Sequence, residues 1–278
     1  MRIGTIIYIH TQHCVDQAEK RYLALKTMGF DCLHFVWNDP ALYTPENAAH
    51  LKELSQIHDM PIVNFTPAMG GVMLWDIAYG PATNGLLPAP YRKERVENIL
   101  RASEFCALLG VDTLSAHIGY LPVNRFDPDY VALIQTMKYL LPILRSRGQR
   151  FLIETGQEAP IILKRAITDI GEDNLLVNFD PGNIIMSGLG IPLYALDTLK
   201  DYIAGFHAKD GLVGCDVRDA EVETLIGQGD ANFEAILKKL FFEQKYQGDI
   251  IIEREVAPDK RDADLIEELG YLNAFFGR

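Results

Sequence analysis

Residues 112–154, "DTLSAHIGYLPVNRFDPDYVALIQTMKYLLPILRSRGQRFLIE", decide the fold. A short β-rich run at 112–118 gives way to the helical periodicity of "PDYVALIQTMKYLLPILRSRG", which stops at Gly148, and a second β-rich run follows at 150–154. Strand, helix and strand in this order make a parallel βαβ unit. The same alternation extends in both directions. Further strand candidates are "IGTIIYI" (3–9), "DCLHFVW" (31–37), "PIVNFT" (61–66), "LLVNFD" (175–180), "IAGFHA" (203–208) and "DIIIE" (249–253), eight in all. Eight such strands predict a closed α/β barrel of the (β/α)8 TIM type, a single domain over residues 1–278. The rival, an open doubly wound sheet, would carry a glycine-rich phosphate turn after an early strand. The segment "GTIIYIHTQHC" has none.

An apolar fraction of 48% fills a sizeable core, and 26 Lys and Arg against 38 Asp and Glu leave a net charge of −12. That field repels nucleic acid. The N-terminal apolar run ends at His10 without a small-residue cleavage pattern, and no stretch reaches bilayer-spanning length, so a soluble, cytoplasmic protein with no membrane partner is expected. Cys14, Cys32, Cys106 and Cys215 are scattered, which fits buried or incidental thiols in a reducing compartment. Residues 67–92 form a connection rich in Gly and Pro and long for a barrel; Trp75 and Tyr79 mark it as a segment that packs over something, in the manner of a lid.

In a (β/α)8 barrel the C-terminal ends of the strands converge on one mouth. Strand five ends in Glu154, strand six in Asp180, strand seven in His207 and strand eight in Glu253, all metal-binding types that close apolar runs. Crowded carboxylates repel unless they are protonated or bind a cation. A divalent ion is the simpler solution. Three carboxylates and one imidazole suit Mn2+ or Mg2+, with Co2+ or Zn2+ as further options. Taken singly, each of these residues reads equally well as a solvated loop residue, a cap or a structural histidine.

At these residues the chain resembles the xylose-isomerase-like TIM-barrel superfamily of sugar and sugar-phosphate isomerases and epimerases. The motifs, in order, are "FCALLGVDTLSAHIG", "FLIETGQE", "NFDPGN", "GFHAKDG" and "GQGDANFEAILKKLFFEQKYQGDIIIERE". The resemblance implies that Glu154, Asp180, His207 and Glu253 are the metal ligands and that Glu154 and Glu253 are also the catalytic acid/base pair. It implies proton abstraction next to a ketose carbonyl through a metal-stabilised enediolate, with return of the proton giving an epimer or an isomer. Asn183 stands where tagatose-type 3-epimerases carry a histidine, and "DPGN" is closer to pentulose-phosphate 3-epimerases.

Substrate contacts are expected from His117, Asn183, Glu158, Lys209 and Trp37, each with a plain alternative. His117 could be structural, and Asn183 a turn residue after Pro181-Gly182. Glu158 could open the helix before Pro160. Lys209 could sit with Asp210 in a solvated turn, Trp37 could pack the barrel, and Arg254 could close a salt bridge within the strand. The partner is then a small sugar or sugar phosphate, and a homo-oligomer is compatible with the sequence. Three rivals share the fold: a metal-dependent sugar-acid or inosose dehydratase, a non-catalytic sugar-binding barrel, and an apurinic endonuclease. The last needs many histidines, whereas the chain has seven, of which His117 and His207 fall at strand ends.

Overall fold

A computed structural model describes residues 1–214 and 222–278; Cys215 lies outside the described residues. The strands are β1 (Ile3–Ile9), β2 (Cys32–Trp37), β3 (Ile62–Thr66), β4 (Thr113–Ala116), β5 (Arg150–Glu154), β6 (Leu175–Phe179), β7 (Ile203–Ala208), β8 (Asp210–Gly211), β9 (Glu223–Thr224) and β10 (Ile250–Ile252). Eight of them close a parallel barrel in the order β1-β10-β7-β6-β5-β4-β3-β2, and β8 and β9 pair as a small antiparallel ribbon. The architecture is the expected TIM barrel. The strands expected at 175–180 and 249–253 stop one residue short, so Asp180 and Glu253 stand just beyond β6 and β10.

Local chemistry sets the element boundaries. The helix Pro128–Ser146 opens on Asp127, whose carboxylate accepts the Asp129 N–H at 2.9 Å, with Pro128 in the first turn where a missing N–H costs nothing. The strands pack against their helices through buried aliphatic and aromatic side chains. On β2 the period of two sends Leu33, Phe35 and Trp37 outward, while His34 and Val36 face the barrel axis. Trp37 is fully buried and packs edge-on against Phe105 at 5.0 Å and tilted against Phe65 at 5.5 Å. This corrects the expected pocket role of Trp37: it falls on the outward register and belongs to the packing between barrel and helices.

The long connection after β3 is ordered, with a short helix at Gly80–Thr83. Arg95 organises it. Its guanidinium, fully buried, donates to the carbonyls of Thr83 (2.7 Å), Gly85 (2.6 Å), Val72 (2.9 Å) and Gly70 (3.2 Å). Hydrogen bonds from a charged donor contribute about 1.5–3 kcal/mol each, enough to offset the desolvation of one cation when several act together. Gly85 has φ +69°, and a Cβ there would collide with the Ile118 carbonyl, so only glycine completes the turn. Trp75 packs edge-on against His117, with ring centroids 4.8 Å apart, while Tyr79 is exposed. Among the described residues no helix is long and apolar enough to cross a membrane.

The last helix, Pro258–Phe276, buries Glu268, which accepts the Ile226 N–H at 3.2 Å through Oε1 while Oε2 has no partner. Burial outweighs the nearby Arg254 and pushes its pKa from the ordinary 4.5 up to about 8. The folded state therefore holds this proton more tightly than the unfolded chain. The resulting stabilisation is complete below about pH 4.5 and is lost as pH rises through about 8. Glu268→Gln, which mimics the protonated acid, is expected to leave Tm nearly unchanged at pH 5 and to raise it by several degrees at pH 8.5. Equal Tm values for the two proteins at pH 8.5 in thermal melts would show that folding does not raise the pKa of this carboxyl.

Candidate metal centre

The barrel brings the four strand-end residues together. His207 Nδ1 lies 3.0 Å from Glu253 Oε2 and 3.5 Å from both Glu154 Oε1 and Asp180 Oδ2. One donor atom from each of the four residues fits within 4.8 Å of the others, and all four are buried. Asp180 also shapes the backbone, since its Oδ1 caps the helix Pro181–Ser187 by accepting the Asn183 N–H at 2.8 Å, which fixes the direction of Oδ2. Thr155 locks the adjoining backbone, donating from Oγ1 to the Asp180 carbonyl at 3.0 Å and accepting the Asp180 N–H at 2.8 Å.

Electrostatics divide the carboxylates. Burial raises the pKa of Glu253, but Lys209 and His207 outweigh it and hold the group at about 2. Burial likewise opposes ionisation of Glu154, and His117 and His207 outweigh it, so Glu154 lies well below the usual carboxylate range. Asp180 goes the other way: burial dominates its partners and pushes it up to about 7. His207 is raised well above its ordinary value, since Glu154 and Glu253 outweigh burial. Three acids thus compete for too little positive charge, and the upward shifts of Asp180 and His207 both favour holding a proton within the cluster. Asp180 Oδ2, buried, has no hydrogen-bond partner. An orphaned oxygen among hard donors and one imidazole is the chemistry a divalent cation satisfies, so these residues fit such an ion.

A cavity of about 630 Å3 opens above this cluster, walled by Tyr8, Trp75, His117, Glu154, Glu253 and Arg261 among others. Of the four clustered residues, only Glu154 and Glu253 reach its wall. His117 is also on the wall, with Nε2 3.3 Å from Glu154 Oε1. Glu154 outweighs burial and raises the His117 pKa. Asn183 donates from Nδ2 to Glu154 Oε1 at 3.1 Å and stands behind that carboxylate, off the wall. Glu158 is buried off the wall, with its pKa pushed up to about 7 by burial.

Lys209 is placed differently from the sequence expectation. It is 1% exposed, and its Nζ lies 2.5 Å from Glu255, 3.4 Å from Glu253 and 3.9 Å from Glu223. With three carboxylates around it and no place on the wall, Lys209 is a counter-charge for Glu253. Asp210 is not solvated either: it accepts the N–H groups of Gly211 (2.9 Å), Gly227 (3.0 Å), Gly229 (3.1 Å) and Ala231 (3.1 Å), pinning the loop after β9. Arg254 forms salt bridges, but with other elements and not within its strand: 2.7 Å to Glu223 of β9 and 2.9 Å to Asp264 of the last helix.

Sequence reasoning missed His34. It is fully buried on the inward face of β2, and its Nδ1 lies 3.0 Å from His207 Nε2. The one available signal was the period of two in "CLHFVW", which puts His34 and Val36 on the face opposite Leu33, Phe35 and Trp37. Tyr8 and Arg261 on the cavity wall were not singled out either.

No curated protein matches the chain. Among solved structures, a xylose isomerase domain protein from Planctomyces limnophilus is similar at 26% identity with a TM-score of 0.85, covering 99% of this chain and 98% of that one. A D-tagatose 3-epimerase-like protein, of 21% identity and TM-score 0.72, covers 100% of this chain and 97% of its own length. The 3-keto-D-glucoside 4-epimerase from E. coli, at 17% identity and TM-score 0.69, covers 99% of each chain. The last two show the fold alone. The model of one family, described as xylose isomerase-like TIM barrel, matches residues 23–275, and the chain belongs to that family.

Proposed function

We propose that the protein is a divalent-metal-dependent isomerase or 3-epimerase of sugars or sugar phosphates that removes the proton next to a ketose carbonyl. The observation that carries this reading is that Glu154 and Glu253, alone among the four clustered residues, line the cavity. They come from β5 and from the end of β10, with β6 and β7 between them in the barrel. A substrate held between them meets a carboxylate on each side. Both groups are held ionised, Glu154 by His117 and His207 and Glu253 by Lys209 and His207. One is thus ready to accept a proton, and the other returns one after it has been protonated.

Glu154, Asp180, His207 and Glu253 would hold Mn2+ or Mg2+, and the ion would supply positive charge beside substrate oxygens that gain negative charge when the proton leaves. The chain's own groups do the rest: His117 and Asn183 fix the orientation of the Glu154 carboxylate, and Trp75 and Tyr8 offer flat apolar surfaces to the C–H face of a sugar. The test is a panel of ketoses, ketose phosphates and inososes incubated with the protein and Mn2+ in deuterated water. Deuterium uptake at a carbon beside the carbonyl, without loss of water, is expected for at least one member. Release of water with a new enone absorbance would instead make the protein a dehydratase.

A further inference from the structure

We infer that His34 is a positioning residue for the metal centre: by accepting a hydrogen bond from His207 Nε2, it fixes His207 in the tautomer that presents an unprotonated Nδ1 to a bound cation. The inference rests on the reading of Glu154, Asp180, His207 and Glu253 as cation ligands. It concerns a residue of β2, on the far side of β1 and β10 from His207 in the barrel.

The two ends of the His207 ring face different surroundings. Nδ1 points at the three carboxylates, and Nε2 points into the barrel, 3.0 Å from His34 Nδ1 and 2.9 Å from Asn178 Nδ2. A neutral imidazole carries one proton, so a cation on Nδ1 requires that proton on Nε2. Nε2–H then needs an acceptor. His34 is fully buried with no carboxylate within salt-bridge distance among the described residues, which keeps its ring neutral and leaves one nitrogen able to accept.

What lies beyond His34 decides which nitrogen that is. His34 Nε2 is 2.8 Å from Thr66 Oγ1, which is 3.2 Å from Ser115 Oγ. With the His207 proton on Nε2, the direction of the chain is fixed: His207 Nε2–H donates to His34 Nδ1, His34 Nε2–H to Thr66 Oγ1, and the Thr66 hydroxyl to Ser115 Oγ. The Asn178 amide then turns so that Oδ1 rather than Nδ2 faces Nε2–H. The chain runs through side chains of β7, β2, β3 and β4. The two histidine rings are tilted by 46° with centroids 5.1 Å apart, so they meet edge to edge through nitrogens and do not stack. When a cation replaces the Nδ1 proton of His207, nothing in this chain has to turn. The site is thereby set before the ion arrives, and loss of such an outer partner typically weakens metal binding about 10–100-fold.

Two substitutions with opposite properties test this. His34→Asn keeps an acceptor close to the Nδ1 position but leaves ring volume unfilled; His34→Phe fills the volume and has no acceptor. Mn2+ and Mg2+ affinities of the metal-stripped full-length proteins are measured by calorimetry, alongside the Tm of each metal-free protein. His34→Phe is expected to bind about 10–100-fold more weakly than the unsubstituted protein, and His34→Asn within a few-fold of it. The reverse order, with Phe binding normally and Asn poorly, would mean that the ring only packs, and would overturn the proposal. Should either variant fail to fold, nitrogen-15 shifts of the unsubstituted, Mg2+-loaded protein still decide: His34 protonated on Nε2 supports the chain, and His34 protonated on Nδ1 refutes it. Failure of the unsubstituted protein to bind either ion would instead remove the cation-ligand reading. The tautomer of His34 in the metal-free protein would then still report whether it accepts from His207.

Discussion

Glu154→Gln and Glu253→Gln are each expected to lower epimerisation by about 10²–10⁴, the usual contribution of a positioned acid or base. The more telling result is in isotope exchange. On the proposed mechanism, which sets the two carboxylates on opposite sides of a substrate, the variant that keeps one of them can still remove and exchange a proton from one epimer, but cannot deliver a proton to the other face. Each variant should therefore wash deuterium into one epimer only, and the favoured epimer should differ between the two. The measurement is mass-spectrometric deuterium incorporation from each pure epimer, with bound metal quantified in every sample so that loss of the ion is not mistaken for loss of the base. Unchanged exchange from both epimers in both variants would exclude Glu154 and Glu253 as the proton-transfer pair.

Lys209→Met is expected to cost about 3–5 kcal/mol of folding stability, the typical effect of removing one partner from a buried ion cluster. The cause lies in what remains. Glu253 is buried, Glu223 is partly buried with its side chain 7% exposed, Glu255 is half exposed, and all three lie within 3.9 Å of the Lys209 ammonium. Without that cation, His207 is the one positive group left within ion-pair distance of Glu253 among the described residues, so its pKa should climb from about 2 toward the ordinary range. Urea unfolding at pH 7 gives the stability change. A loss below about 1 kcal/mol would place Lys209 among solvated ion pairs, whose contributions are of that size.

The four clustered residues were legible because of a property of parallel barrels: strand ends that are far apart in sequence share one mouth, so a polar residue closing each apolar run is enough to assemble the set. The barrel itself was legible from the βα alternation. Where side-chain direction mattered, the sequence was silent. Within "CLHFVW" the period of two separates His34 and Val36 from Leu33, Phe35 and Trp37, but apolar residues occupy both faces of β2, so the run does not say that Trp37 is on the face turned out toward Phe105 and His34 on the face turned in toward His207. Lys209 and Asp210 read as a turn because their partners come from residues 223–231 and 255, and only the closed fold brings those segments against β7 and β8. His34 was hidden for the same reason, since its partner lies 173 residues away.

Arg95 grips the loop after β3 by main-chain carbonyls, and every amino acid has one. The path of the loop is therefore held largely through its backbone, together with the Asp76 and Thr83 side chains that bond main-chain groups within it and the glycines of positive φ at 70, 71 and 85. Met69, Met73 and Trp75, which form part of the cavity wall, are carried on that path without being what holds it. Such a segment behaves as an interchangeable facing on a fixed frame. The lining of the cavity can be rewritten there, by drift or by design, while the Glu154, Asp180, His207 and Glu253 cluster across the barrel stays in place.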